Sequence, residues 1–541
     1  MTSKTDAKTT TMNVDKEKGH RDHPDGLSNL PVSSKEKDEA ITMVGEQEHE
    51  LDPALVARTV RKIDLYLLPV MIFGYGLCYY DKAILGSAAL FGMTTDLSLS
   101  LVVSPASNGK PAVLDTTRLS WATSIFYFGM LAGLYPLTFA LQRISNMGRL
   151  LGVLVIIWAA ICMSTAGVTT HQGLYAQRFL LGFFEAVIPT SFMCIISSYY
   201  TQEEQSLRQS WWYSATCLWT IIGGGLNYGF SLVKGGALHS WQYIYLLAGT
   251  LTFLFGVICF FAAPSSPVTA WFLSKDEKFA AVERLRANQA GVRCTRLKWA
   301  HVRESINPRE DGIKTLLVFV MMGSAYTING AITGFGPLIV STFNYTPHQA
   351  ILLQFPLGGL GFVLMILTGW LGTRYRDIRL IMIGLGCLPV IAGCVIVWKS
   401  EWDPVHAVTP VIGYTMVGSF FPLVVTLTIA TGMANVAGHT KKSFMSATIF
   451  VAYCVGNIVG PLMVRSQSRA QHYPELWLGL IICYIICIIA SISLYVVLTR
   501  ANKKKERTLL EQGLEDDQAE RAKLAFQDLT DLQNPYFRYV L

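Results

Sequence analysis

The sequence predicts an all-α membrane protein of twelve transmembrane helices in two six-helix halves. Three observations carry that prediction. Only 15% of the 541 residues are charged while 51% are hydrophobic, against about 25% charged in soluble domains. Twelve segments reach the roughly 20 apolar residues that a bilayer crossing needs. They lie near 65–93, 119–141, 149–168, 173–199, 209–232, 241–263, 314–342, 347–371, 378–398, 405–430, 443–464 and 475–499. A polar stretch at 264–312 divides them six and six.

The chain therefore divides into a tail (1–57), a first half (58–263), a linker (264–312), a second half (313–500) and a C-terminal tail (501–541). The first 50 residues are rich in Lys, Glu, Asp, Ser and Thr. They carry too little apolar surface to offset the entropy of ordering, so the sequence predicts disorder there. No short apolar core with a cleavage site opens the chain, so the first span is expected to be the insertion signal. The linker PSSPVTAWFLSKDEKFAAVERLRANQAG starts with prolines and continues with charges at helical spacing. It predicts an amphipathic cytosolic segment.

Orientation follows from the basic residues, which favour cytosolic loops. With both termini cytosolic, the even-numbered short loops hold Arg143, Arg149, Arg208, Arg374, Arg376, Arg379, Lys441 and Lys442. Lys503, Lys504, Lys505 and Arg507 follow the last span on the same side. The net charge of +7 is thus a topology signal spread over loops and tails, and no nucleic-acid partner is expected. Most of the 11 cysteines fall within apolar spans and form neither a disulfide framework nor a zinc site. No nucleophile–base set, metal cluster or cofactor motif is present, so neither an enzyme nor a cofactor is expected.

Ionisable groups inside a bilayer are costly, by about 2.5–3.5 kcal/mol on insertion scales, and generally face a cavity. Those well inside the spans are Asp81, Lys82, Arg178 and Glu185, all in the first half. Asp81 and Lys82 sit in YYDKAILG, roughly 25–27 Å along span 1 at 1.5 Å per residue. Adjacent helical positions point about 100° apart, so the two need not pair with each other. Arg178 and Glu185, in RFLLGFFE, are two turns apart on one face of span 4. An acid in a low-dielectric site can carry a proton near neutral pH, and a neighbouring cation opposes that. Asp81 and Glu185 biased by Arg178 would form a switchable proton site. Lys82 would be the counter-ion of an anionic substrate. The competing structural readings are a fixed ion pair bracing spans 1 and 4, and snorkelling of Asp81 and Lys82 to the headgroups.

Facing this charged half, the second half offers neutral hydrogen-bonding groups. Tyr326, Asn329 and Thr333 form a stripe on span 7; Gln354 lies on span 8, and Tyr453 and Asn457 on span 11. Tyr79 and Asn227 add to them from the first half. Such a set suits a small polar ligand, or equally helix–helix hydrogen bonding within the bundle. Asn344-Tyr345-Thr346 matches a glycosylation acceptor but lies too close to the membrane to be used. The final AFQDLTDLQNPYFRYVL either docks on the cytosolic face or serves as a sorting or turnover signal.

The halves repeat a feature. Leu141-Gln142-Arg143 to Arg149 between spans 2 and 3, and Gly372-Thr373-Arg374 to Arg379 between spans 8 and 9, resemble a degenerate form of the Gly-x-x-x-Asp-Arg-x-Gly-Arg signature of the major facilitator superfamily. Gln142 and Thr373 replace its acid, so packing and gating by Arg143, Arg149, Arg374 and Arg376 is expected rather than a charge relay. Beyond this, RKIDLYLLPV, YYDKAILGSA, RFLLGFFEAVIPT, RLRANQAG, AGHTKKS, YCVGNIVGP and the C-terminal motif resemble fungal allantoate permease-like transporters of the anion:cation symporter branch.

That resemblance implies proton-coupled import of a small organic anion such as allantoate, nicotinate, pantothenate, a sulfonate or an amino acid. The importer would be a multi-pass plasma-membrane monomer working by alternating access. By motif match, Asp81, Glu185 and Arg178 take proton coupling. Lys82, where many relatives of the wider branch carry Arg, takes the anion. Two other functions fit the same fold, a transceptor that binds without concentrating its ligand and a drug exporter; the Asp-Lys pair weighs against the exporter.

Overall fold

In the computed structural model, the described residues are 51–541 without 105–112, 144–146, 233–236, 264–265, 286–297, 376, 404–406 and 512–528. Residues 1–50 of the expected tail lie outside them, as does RANQAG at the end of the linker motif, while 53–57, expected in the tail, open the first helix.

Each expected crossing coincides with a helix or a broken helix. Among the described residues nine helices are long and apolar enough to cross a membrane. The other three crossings are Thr117–Arg143 and two spans broken into shorter pieces. Span 1 is Pro53–Ala88, capped by Asp52 accepting from the Ala54 amide, and it starts earlier than its apolar stretch. Span 2 is Thr117–Arg143, span 3 Met147–Ser164 and span 6 Ser240–Ala262. Span 7 is Gly312–Ser341, span 9 Arg379–Lys399, span 10 Val408–Ala434, span 11 His439–Met463 and span 12 Pro474–Glu511.

The broken spans have local causes. Span 4 is His171–Glu185 followed by Val187–Tyr199. Pro189 cannot donate to the Glu185 carbonyl and its ring crowds that carbonyl, which interrupts the helix just after the acid. Pro356 acts in the same way on span 8, which divides into Pro347–Leu352 and Gln354–Arg374. Span 5 divides at Ser214 into Gln202–Tyr213 and Ala215–Ser231.

Spans pair in the same way in both halves: 1 with 5, 2 with 4 and 3 with 6, then 7 with 11, 8 with 10 and 9 with 12. Glycine sets the closest of these seams. A methyl group on Gly129 would lie 2.0 Å from the Phe179 carbonyl oxygen, and one on Gly460 would lie 2.2 Å from that of Thr327. Large apolar side chains such as Phe261, Leu65, Val363 and Ile492 stay exposed on the outside of the bundle, as a lipid-facing surface requires.

The two ends of the bundle differ. Between spans 1 and 2, where the sequence suggested only a loop, Leu101–Ser104 pairs antiparallel with Val113–Asp115. We call this the hairpin end. At the opposite, linker end, Lys275–Glu283 packs on span 1 through Lys62–Glu277 at 2.7 Å, and Trp299–Ile306 packs on span 11. The C-terminal residues dock there too. Asn435 exchanges hydrogen bonds with the Val540 backbone at 2.7 and 2.8 Å, and Asn502 does so with Tyr539 at 2.9 Å.

Candidate functional site

Adjacent in sequence, Asp81 and Lys82 face different neighbours. Asp81 points into the first half and is 1% exposed. Its Oδ2 accepts from Trp158 Nε1 at 2.8 Å and its Oδ1 from the Cys162 thiol at 3.2 Å. Both partners lie on span 3, four residues apart and hence on one face. Lys82 turns toward span 4, where its ammonium pairs with Glu185 Oε1. It also donates to the Cys78 carbonyl at 2.9 Å and sits 5.3 Å from the Phe126 ring centre. Glu185 is fully buried, and its Oε2 accepts no hydrogen bond.

Arg178 shares the face of Glu185 in sequence, but the structure directs it to span 6. Its guanidinium donates to the Tyr245 hydroxyl and lies 5.5 Å from that ring's centre. Cys162 and Tyr245 feel the charges of both Asp81 and Arg178. The four ionisable residues thus form two adjoining nests, Lys82 with Glu185 and Asp81 with Arg178's neighbours, at the level where span 4 breaks.

Toward the hairpin end lies a cavity of about 40 Å³ between the two halves. Its lining includes Tyr79, Ser87, Trp219, Asn227, Thr333 and Gln354. That volume has room for a few waters but not for an organic ligand. Thr220 Oγ1 donates to the Tyr79 hydroxyl at 3.1 Å, and Tyr80 donates to Asn227 Oδ1 at 3.0 Å. Tyr414 donates to Gln354 Oε1 at 3.0 Å.

The remaining neutral residues divide. Tyr326 and Tyr453 stack edge to face with centres 4.5 Å apart, and Tyr326 hydrogen-bonds Tyr213 across the two halves. Asn329 Nδ2 instead donates to Asn457 Oδ1 at 2.7 Å, while Thr333 donates to Asn329 Oδ1 at 3.1 Å. These bonds lie in the glycine seam of spans 7 and 11, the helix–helix role expected of such groups. In the loops, Arg149 and Arg374 are exposed, and Arg374 lies 5.9 Å from the Tyr375 ring centre. Arg376 and the side chain of Arg143 lie outside the described residues.

Sequence reasoning missed Trp158, Cys162, Tyr245 and Trp219. The i, i+4 spacing of Trp158 and Cys162 was available, but neither residue stands out in an apolar span until a buried acid is placed against it.

A family model described as Major Facilitator Superfamily matches residues 71–461. The chain belongs to the major facilitator superfamily. Among curated proteins it is 32% identical to an uncharacterized transporter of Schizosaccharomyces pombe, over 89% of this chain and 87% of that one. It is 29% identical to the allantoate permease of Saccharomyces cerevisiae, over 93% and 90%. With the thiamine pathway transporter of that yeast it shares 28% identity, over 91% and 87%. Among solved structures, the major facilitator proton:xylose symporter XylE superposes with a TM-score of 0.60 at 13% identity, covering 81% of this chain and 96% of that one. This major facilitator protein is therefore a multi-pass transporter, not an enzyme, and its twelve spans follow the family fold.

Proposed function

We propose that this major facilitator protein is a proton-coupled symporter that imports a small organic anion by alternating access. The observation that carries the reading is the Lys82–Glu185 pair, buried within the helix bundle beside a small cavity lined by neutral hydrogen-bonding groups. A cation whose buried partner can take up a proton becomes free to hold an anion. Lys82 holds the anionic group. Tyr79, Asn227 and Gln354 read its neutral part from the cavity, with Tyr326 and Tyr453 below them, while Asn329 and Asn457 keep the seam. Rocking of the two halves then exposes the site alternately to each side. The basic linker end faces the cytosol, and the protein works as a monomer in the plasma membrane. Its relatedness to an allantoate permease supports an anionic substrate of that size.

The test is uptake of labelled allantoate, nicotinate, pantothenate and a sulfonate in transporter-deficient yeast, at about pH 5 and about pH 7.5. Thiamine, a cation, is the charge control. Uptake favoured at the lower pH and abolished by a protonophore is expected for one anion. Ligand binding without accumulation would replace the symporter with a sensor, and uptake of thiamine alone would overturn the anion assignment.

A further inference from the structure

The two buried acids differ in what holds them. Asp81 accepts on both oxygens, from Trp158 Nε1 at 2.8 Å and from the Cys162 thiol at 3.2 Å. An indole N–H can only donate. A proton on Oδ2 would displace that donor and leave it unpaired in a buried site. Glu185 takes the Lys82 ion pair on Oε1, the Cys78 thiol adds a weaker contact, and no hydrogen bond reaches Oε2, which is where a proton can be received. The titratable groups facing it are Lys82, Asp81 and Cys78 from span 1, Tyr127 from span 2, Cys162 from span 3 and Tyr453 from span 11. Lys82 keeps a second acceptor, the Cys78 carbonyl at 2.9 Å, when Glu185 becomes neutral.

We propose that the carrier moves one proton with each monovalent anion, that this proton rides on Glu185, and that Trp158 and Cys162 are positioning residues that keep Asp81 ionised throughout. The proposal rests on the symport reading above and fixes its stoichiometry. In the empty carrier, Asp81 and Glu185 balance Lys82 and Arg178. An arriving anion adds one negative charge. Hydronium passes its proton to Glu185 Oε2 and leaves as water, while the Lys82 ammonium moves from the carboxylate to the anion. The loaded set is again neutral. On the opposite side Glu185 returns the proton to water, Lys82 returns to the carboxylate, and the anion leaves. Neither form carries net charge through the bilayer, where buried charge is costly. The cycle is therefore electroneutral.

Infrared difference spectroscopy of the purified full-length protein in lipid tests this without any substrate. Carboxyl protonation is read between about pH 8.5 and about pH 4.5. Glu185→Gln is expected to remove one carboxyl signal and Asp81→Asn to remove none. The Trp158→Phe/Cys162→Ala double variant is expected to add one, as Asp81 loses its donors. If Asp81→Asn does not fold, the double variant decides the same point. A signal lost in Asp81→Asn, no signal lost in Glu185→Gln, or no signal gained in the double variant overturns the assignment.

Proteoliposomes with allantoate as the monovalent probe test the count. Accumulation is expected to change about tenfold per unit of pH difference and not to respond to a membrane potential set with valinomycin. A hundredfold change, or a response to potential, overturns the one-to-one ratio. Absence of allantoate uptake with the infrared assignments intact counts against the anion reading and leaves the proton on Glu185.

Discussion

The molecule buries charge in two places and treats it in opposite ways. In the membrane, Lys82 meets a single carboxylate that keeps one oxygen unspent. At the linker end, Lys314 and Lys441 meet three carboxylates at once. Lys441 pairs with Glu304 at 2.6 Å, with Asp531 at 2.6 Å and with Asp311; Lys314 pairs with Asp531 at 3.1 Å and with Asp311. Tyr539 adds a hydrogen bond to Asp531 at 2.7 Å. Glu304, Asp311 and Asp531 lie close enough to suggest a metal site, but the two ammonium groups already occupy that position. The second cluster fastens the C-terminal residues and the linker helix Trp299–Ile306 to spans 7 and 11. Many partners per charge make a lock, because no single proton or ligand releases it. One partner per charge, with an acceptor in reserve, makes a switch.

The largest expected effect breaks the lock. Asp531→Ala leaves two buried ammonium groups with one less anion each, and truncating a buried ion-pair partner costs about 3–5 kcal/mol. The melting temperature of the detergent-purified protein should fall clearly, while any folded fraction keeps its dependence on the proton gradient. A variant as stable as the parent would show that the cluster is only a surface network.

The same change at the switch should act on transport. Lys82→Ala removes the cation and strands Glu185, with an expected loss of anion affinity of about 2–5 kcal/mol. Lys82→Arg should recover much of it, since a guanidinium can hold a carboxylate through two hydrogen bonds. The measurement is the concentration dependence of uptake for the two variants. Equal impairment of both would mean that Lys82 only braces spans 1 and 4.

These regions were not equally legible in the sequence. The switch residues stood out because Asp81, Lys82, Arg178 and Glu185 interrupt apolar runs, where charge has a price. Their partners did not: a buried Trp or Cys looks the same in sequence whether it packs or donates. The direction of Arg178 was equally hidden, since helical periodicity places it with Glu185 while only tertiary packing supplies Tyr245. The span count followed from apolar length alone, and so did the approximate bounds of each span. The breaks at Ala186 and Leu353 were implicit in Pro189 and Pro356. The lock was invisible because it joins three separate stretches of sequence, Glu304 to Lys314, Lys441 and Asp531, the first and last more than 200 positions apart. Lys441 read only as a topology signal.

A smaller effect sharpens the role of the docked C-terminal residues. Asn435 closes a two-bond ring with the Val540 backbone. Asn435→Ala leaves a buried donor and acceptor unmatched, at about 1–3 kcal/mol. Limited proteolysis should then release the C-terminal residues more readily than in the parent. Unchanged protection would assign the docking to the ion pairs alone.

The smallest effect tests the lock by pH. Burial, and then the charge of Asp531, pushes the Asp311 carboxyl from 3.8 up to about 6. Burial acts upward on Asp531 as well, but Lys314 and Lys441 outweigh it and hold that carboxyl below its usual range. The signs are opposite. Asp311 binds its proton more tightly in the folded chain, so its contribution is fully present below about pH 4 and is lost progressively as pH rises from there to about 6. Asp531 favours the folded chain above the ordinary carboxylate range, and that contribution is lost as pH falls below about 4. The lock should therefore be tightest near pH 4 and weaken as pH rises from about 4 to about 6, with a slope of at most about 1.4 kcal/mol per pH unit from each group. Melting temperature against pH should pass through a maximum there, and Asp311→Asn should flatten the alkaline side alone. A maximum that shifts with Glu185→Gln instead would place the pH-sensitive charge in the membrane, and the contrast between lock and switch would fail.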